Sequence, residues 1–245
     1  MIPASEGGRA ALSLTERTKA FIRSALPGGV RIYRGVRGLG RRAWRARPPG
    51  MEAVFSEIYR RNLWGDAESV SGRGSTLART RVIREVLPGL LEDLGARTLL
   101  DAPCGDFNWM RHVRLAGVSY VGADVVPEIV ARNRREHGGP GREFVALDIT
   151  SDPLPRADVI LCRDCLIHLP FRQARSAVEN FKRSGSRFLL ATTHTLVREN
   201  ADASLGGWRS LNLELPPFGF PRPLRLVTED EEAGKCLGLW RLEDL

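Results

Sequence analysis

Leu99-Leu100-Asp101-Ala102-Pro103-Cys104-Gly105-Asp106 is the stretch on which the reading turns. An apolar run meets an acid there and breaks into a loop. The pattern recurs twice: Tyr120 to Ala123 runs into Asp124, and Phe144 to Leu147 runs into Asp148. Three short apolar runs, each closed by an acid, predict parallel strands ending at one edge of an open sheet, where such folds bind ligands. Carboxylates at three strand ends suit a ligand that carries an ammonium group, a ribose diol and an adenine amine.

S-adenosylmethionine carries all three groups. The chain, from about residue 52 to 245, resembles the class I S-adenosylmethionine-dependent methyltransferases, whose first motif is hydrophobic-hydrophobic-Asp/Glu-x-Gly-x-Gly-x-Gly. Asp101 and Gly105 match it, while Pro103 and Phe107 stand where the first and third glycines would. Glycine permits a positive φ or a close approach of backbone to ligand, and proline fixes φ and removes a donor. The turn must therefore be built differently. Gly-x-Gly-x-x-Gly is absent, which argues against a dinucleotide site. The resemblance implies that Ala102, Pro103, Cys104 and Gly105 form the cofactor loop. Asp124, with Val125 beside it, lies 23 residues past Asp101 at the place of the ribose-binding acid. Asp148 takes the adenine amine and Ile149 flanks the ring. Residues 157–169 are the fourth motif, which places Arg163 and Asp164 beside the methyl donor. The implied fold is α/β and Rossmann-like: a mostly parallel seven-stranded sheet flanked by helices, ending in a hairpin of strands near Leu224 to Val227 and Leu237 to Leu242.

Charge is unevenly distributed. The net charge is +8, but residues 1–50 hold eleven Lys or Arg against Glu6 and Glu16, a balance of +9, so the remainder stands at −1. We expect a basic N-terminal extension over 1–50 and a methyltransferase domain over 51–245, with a helical lid segment at 51–92 and the Rossmann-like core at 97–245. Leu14, Thr18, Phe21, Ile22 and Ala25 fall at helical spacing among Arg17, Lys19 and Arg23, and Pro27-Gly28-Gly29 ends the pattern. The extension reads as a solvated, partly disordered leader, as peripheral contact with an anionic membrane face, or as a nucleic-acid arm. Arg outnumbers Lys 34 to 3 over the whole chain, which is a compositional bias and not a choice for phosphate. No apolar run approaches the ~20 residues that span a bilayer. The expected location is cytoplasmic, or peripheral at the inner membrane face.

Cys162 and Cys165 form the one Cys-x-x-Cys, and neither Cys104 nor Cys236 supplies a second pair. A closed zinc site needs four ligands, so no metal is expected. Four cysteines and no leader pattern fit a reducing compartment.

Upstream, Phe55, Ile58, Tyr59 and Asn62 share a helical face, followed by Asn62-Leu63-Trp64-Gly65 and Ser69-Val70-Ser71-Gly72-Arg73-Gly74-Ser75. This is either a helix packed on the sheet, with Ser75 capping a helix from Thr76 to Leu91, or a lid over the cofactor. In the lid reading Trp64, Ser71, Gly72 and Ser75 contact the methionine end; Trp64, Tyr59 or Trp109 could face the sulfonium. A helix from about Pro170 to Lys182 leads to a strand from Phe188 to Thr193. The long Gly-, Pro- and aromatic-rich segment 206–221 shapes an acceptor pocket or wraps the sheet.

Methyl transfer is an in-line displacement that needs positioning, and a hydroxyl acceptor also needs a base. His168, His194 and Asp164 are the candidates. The Asn/Asp-Pro-Pro-Tyr/Phe signature of amino-group methylation is absent, since Arg163-Asp164-Cys165-Leu166 stands there. The expected function is O-methylation of a small-molecule or saccharide acceptor. An RNA or protein methyltransferase docking through the basic extension, and a non-catalytic binding module of the same fold, are the other readings. The neutral body argues against a nucleic-acid partner.

Overall fold

The computed structural model describes residues 50–245; the expectations for the basic extension fall outside the described residues. The first helix, α1, spans Met51–Arg60, and Ser56 and Ile58 on its inner side are buried. Asn62 does not continue the helical face. It stands past the helix end with a φ of 45°, a left-handed conformation that asparagine tolerates.

Helix α2 spans Arg81–Asp93, five residues later than expected, and Ser75 caps nothing. Side chains explain the delay: Glu68 accepts from the Leu77 amide, Thr76 Oγ1 accepts from the Arg79 amide, and the Thr80 hydroxyl donates to the Thr76 carbonyl. Residues 76–80 are thereby held in turns by their own polar groups, while Ser75 closes a short 3-10 turn, Arg73–Ser75.

The sheet follows in chain order. β1 is Thr98–Asp101, β2 Ser119–Asp124, α3 Pro127–His137, β3 Arg142–Ala146 and β4 Val159–Cys162. Then come α4, Phe171–Arg183, and β5, Phe188–His194. The hairpin is β6, Arg225–Asp230, with β7, Lys235–Arg241. The strand order is β3-β2-β1-β4-β5-β7-β6, parallel except for the antiparallel pairings of β7 with β5 and β6. β4 and β5 are buried at every position, as near-continuous apolar strands covered on both faces must be. The hairpin falls where the hydrophobic pattern put it to within three residues at each end: the Leu224 amide donates to the Leu239 carbonyl at 2.8 Å, and of Leu224, Leu226 and Val227 only Val227 is buried.

Two apolar layers flank the sheet. One joins Ile160, Leu189 and Trp240 to α4 through Ala177, Val178 and Phe181. The other joins Leu99, Leu161 and Leu190 to α2 through Ile83, Leu87 and Leu90. The strands reverse their order between β1 and β4. Their carboxyl ends therefore open a crevice at the switch point.

Candidate functional site

Asp101 and Asp124 are the last residues of β1 and β2, at the crevice edge. Asp148 sits two residues beyond β3, in a turn where its Oδ1 accepts from the amide and hydroxyl of Thr150, at 2.8 and 2.6 Å. The Leu147 amide still donates to the Asp124 carbonyl, and the chain then turns, with the Asp148 amide taken by Asp152 Oδ2 at 2.8 Å.

The loop after β1 is built without most of the expected glycines. The Cys104 amide donates to the Ala123 carbonyl at 2.8 Å, and the Gly105 amide to Asp124 Oδ2 at 3.0 Å. Gly105 has a φ of 54°, and an added Cβ would lie 2.3 Å from Ser71 Oγ. Glycine is required there on both counts. Phe107, where the family has its third glycine, takes a φ of 59° itself. The strain is offset by burial of its ring against Tyr120 and Phe144, with centroids 5.3 and 5.1 Å away.

The carboxylates differ in their surroundings. Asp101 is buried and accepts one hydrogen bond, from the Tyr120 hydroxyl at 2.7 Å. Burial pushes its carboxyl up to about 7, against the Tyr120 bond, which pulls it down. Burial also pushes Asp124 up to about 6, opposed by the Val126 and Gly105 amides. Asp124 uses one lone pair on each oxygen for those amides, leaving two without a partner among the described residues. Among the described residues no hydrogen bond reaches Asp148 Oδ2.

Residues 66–75 lie across this loop. Asp106 Oδ2 accepts from the Ser69 hydroxyl at 2.8 Å and the Val70 amide at 3.0 Å, and the Asp106 amide donates to Ser71 Oγ at 2.9 Å. Asn108 donates to Glu68 and to the Ser75 carbonyl. Ser71 thus meets the loop after β1 directly. Gly72 packs against Trp64, and Trp64 stacks on His168 with centroids 4.8 Å apart. Arg60 of α1 pairs with Glu128 in the first turn of α3. Tyr59 is not among the residues that meet this loop, and Trp109 is buried against the Arg163 guanidinium at 5.6 Å.

A second cluster occupies the ends of β4, β5, β6 and β7. Arg163 Nε donates to Glu229 Oε1 at 2.9 Å, and its Nη1 lies 3.2 Å from Asp164 Oδ2. Lys235 Nζ donates to Asp164 Oδ2 at 2.7 Å and stands 3.2 Å from Glu229 Oε2, an ion pair without hydrogen-bond geometry. The Thr192 hydroxyl donates to Asp164 Oδ1 at 3.1 Å. Burial alone would raise Asp164, but the charges of Arg163 and Lys235 outweigh it and hold the carboxyl well below the ordinary range. Asp164 has a φ of 50°, and Gly74 presses on it so closely that a Cβ would lie 2.8 Å from Oδ2.

The two histidines present opposite tautomers. His168 Nδ1 is 2.6 Å from the Gly207 carbonyl, which can only accept, so Nδ1 carries the proton and Nε2 keeps its lone pair. His194 Nδ1 accepts from the Leu211 amide at 3.3 Å, so its proton is on Nε2 and its lone pair is occupied. Burial lowers both imidazoles, which favours the neutral forms. Segment 204–213 fixes this arrangement: the Gly206 amide donates to the His168 carbonyl, Arg209 binds the Leu166 and Leu169 carbonyls, and Leu211 and Leu213 are buried. It wraps the sheet while aiming one carbonyl at His168.

Cys162, Cys165, Cys104 and Cys236 are buried free thiols. Sequence reasoning missed Tyr120, Glu229, Lys235, Thr192 and the Asp106–Asn108 contacts. The one usable signal was Lys235, a rare lysine in an arginine-rich chain.

No family model matches the sequence, and no curated protein matches it. Solved structures do. Human N-acetylserotonin methyltransferase in complex with SAM is 15% identical with a TM-score of 0.56, over 79% of this chain and 60% of that one. The 1,6-didemethyltoxoflavin-N1-methyltransferase of Burkholderia thailandensis, with 1,6-didemethyltoxoflavin and S-adenosylhomocysteine bound, is 18% identical with a TM-score of 0.53, over 80% and 92%. An N-methyltransferase from Bradyrhizobium japonicum WM9, in complex with S-adenosyl-L-homocysteine, is 14% identical with a TM-score of 0.53, over 75% and 97%. This chain has the Rossmann-like fold of the class I methyltransferases.

Proposed function

We propose that the protein is an S-adenosylmethionine-dependent methyltransferase acting on the hydroxyl of a small-molecule acceptor, with a saccharide as the first class to test. The observation that carries the reading is the set of three acids at the crevice edge with acceptor capacity to spare. A binding module of the same fold would have no use for all three.

The residues present fit the cofactor. Asp124 offers two lone pairs to the ribose hydroxyls, and Asp148 Oδ2 is open to an adenine amine beside Ile149. Asp101, buried beside a single phenol, is a carboxylate in want of a cation, which an ammonium supplies. Loop residues 102–105 and Val125 line the crevice between them, and Trp64, Ser71, Gly72 and Ser75 belong to the segment that closes over it. S-adenosylmethionine, when bound, supplies a methyl group made electrophilic by the adjacent sulfonium.

The protein's part in the transfer is positioning and proton handling. His168 is the base in this reading, since its Nε2 lone pair is free and its Nδ1–H is anchored on a carbonyl. As the acceptor oxygen gains the methyl group, its proton passes to Nε2. Asp164 and His194 serve otherwise. The first is held ionised between Arg163 and Lys235, and the second has its lone pair on the Leu211 amide. Residues 64–75 act as a lid that must lift for the ligand to reach the loop.

Calorimetric titration with S-adenosylhomocysteine, with NAD as control, tests the reading. Selective micromolar binding is expected. Binding of NAD in its place, or of neither, overturns it. Labelled donor with sugars and lipid-linked saccharides then tests the acceptor class.

A further inference from the structure

The peptide between Gly105 and Asp106 is held from both sides by groups of different elements. Its N–H, on Asp106, donates to Ser71 Oγ at 2.9 Å, in the segment that lies across the loop. Its carbonyl, on Gly105, accepts from Asn133 Nδ2 at 2.7 Å. Asn133 stands on the inner side of α3 and is 1% exposed. Its Oδ1 is buried and has no hydrogen-bond partner among the described residues. A buried acceptor left without a donor costs stability that a leucine of similar size would not lose. Nor can the amide be turned over, since Oδ1 would then face the Gly105 carbonyl, acceptor against acceptor. The position therefore keeps its amide for the donor, whose other contact is a weak one, to Cys104 Sγ at 3.8 Å.

This peptide is one that could turn over. Doing so changes ψ of Gly105 and φ of Asp106. Gly105, at a φ of 54°, has no Cβ to resist, and aspartate enters the left-handed region more readily than most residues. While the segment lies over the loop, Ser71 and Asn133 oppose the turn together. When the segment lifts, Ser71 leaves with it, and Asn133 is the side chain that still holds this peptide. α3 packs on the sheet through Val130, so Asn133 does not move with the segment.

We propose that Asn133 is a positioning residue that locks the Gly105–Asp106 peptide in one orientation while the lid is open, keeping the Asp106 N–H turned toward the returning Ser71. This rests on the cofactor and lid readings above. A loop with its peptide turned over must turn back before the lid can close on a ligand. Apparent affinity therefore falls with the fraction of chains in the right orientation.

The test titrates the full chain with S-adenosylhomocysteine by calorimetry at about pH 5 and about pH 8, and follows the ligand-free Asp106 amide by NMR. Asn133→Leu removes the donor together with the orphaned acceptor. It should weaken S-adenosylhomocysteine at least tenfold at both pH values, and split or broaden an Asp106 signal that is single and sharp in the wild type. Asn133→Asp keeps the shape. Burial holds its carboxyl protonated at about pH 5, where the O–H donates to the Gly105 carbonyl and affinity should stay within threefold of wild type. Ionised at about pH 8 it offers only acceptors, and should lose at least tenfold against wild type. Should leucine not fold, the aspartate contrast decides alone. Binding by Asn133→Leu within twofold of wild type, a single sharp Asp106 signal in that variant, or an equal loss by Asn133→Asp at both pH values overturns the lock and leaves the cofactor reading standing. A wild type that binds no S-adenosylhomocysteine overturns the cofactor reading, and the Asp106 signal of Asn133→Leu then decides the lock: split, it stands; single and sharp, it falls.

Discussion

Asp101, Asp124 and Asp148, in the β1–β2–β3 half of the sheet edge, take hydrogen bonds from partners no more than 19 residues away in the chain. Arg163, Asp164, Glu229 and Lys235, in the β4–β5–β7–β6 half, answer one another's charge across 66 and 71 residues. The first half keeps unused acceptor capacity on its carboxylates. The second pairs its charges internally, and leaves one Arg163 nitrogen and Glu229 Oε2 without a hydrogen bond and the Nε2 of His168 with its lone pair. A recognition surface can therefore be read from neighbours in sequence, whereas a network that aims single atoms needs strands brought together from far apart.

The contrast is sharpest at the histidines. His168→Gln should lower methylation of a hydroxyl acceptor by about 10²- to 10⁴-fold, with S-adenosylhomocysteine affinity unchanged, while His194→Gln should leave most of the turnover. Labelled-donor assays of the two variants side by side check this. Equal losses would break the tautomer argument. An amine acceptor that presents a neutral nitrogen would be nearly indifferent to His168→Gln, which separates O- from N-methylation.

Asp124→Ala tests the other half. Losing the ribose acceptor should weaken S-adenosylhomocysteine by about 100-fold, close to 2.7 kcal/mol. Thermal stability should change little, because the lost amide contacts are offset by removal of a buried carboxyl that burial has already pushed up to about 6. Tight binding by this variant would displace the ribose site.

Lys235→Met asks whether the second half is held by charge. It strips the nearest cation from Asp164 and Glu229 in a largely buried setting. The expected cost is about 3 kcal/mol, or roughly 6–12 °C in melting temperature for a domain of this size. A shift under 2 °C would show that Arg163 alone suffices.

The smallest effect is on pH dependence. Asp101 is raised to about 7 in the folded chain. As a raised acid, it contributes stability that is complete below its ordinary unfolded value and is lost as pH climbs through 7. An ammonium reverses this by favouring the carboxylate. Affinity for S-adenosylhomocysteine should therefore rise about tenfold between pH 6 and pH 8, and methylthioadenosine, which has no ammonium, should show a much weaker rise. Parallel pH profiles for the two ligands would remove Asp101 from the ammonium site.

How much of this was legible beforehand follows from where each interaction lives. Strand-end acids announce themselves because an apolar run of period two or a buried run must stop, and the residue at the stop is visible. So the first three strands and the three carboxylates were open to reading from residues 98–148, and the seven-stranded sheet followed from the resemblance. Boundaries set by side chains were not. Thr76, Thr80 and Glu68 delayed α2 by taking amides and carbonyls that a helix would use, and no periodicity records that competition. The hairpin was legible in place but not in burial, since Leu224 and Leu226 pair with β7 by their backbones while their side chains stay exposed.

By itself the amino-acid sequence determined the α/β alternation, the crevice edge with Asp101, Asp124 and Asp148, and the division between a strongly basic first 50 residues and a nearly neutral body. The tertiary structure alone decided which nitrogen of His168 is free, that Asp164 is locked between two cations, and that Arg163 keeps one donor unanswered. The reason is physical. Patterning along a chain follows from local propensity and burial, but a proton's position and an ion's partner depend on the groups that face it. Here those groups are Gly207, Glu229 and Lys235, which only the folded sheet and its wrapping loop bring within 3.2 Å.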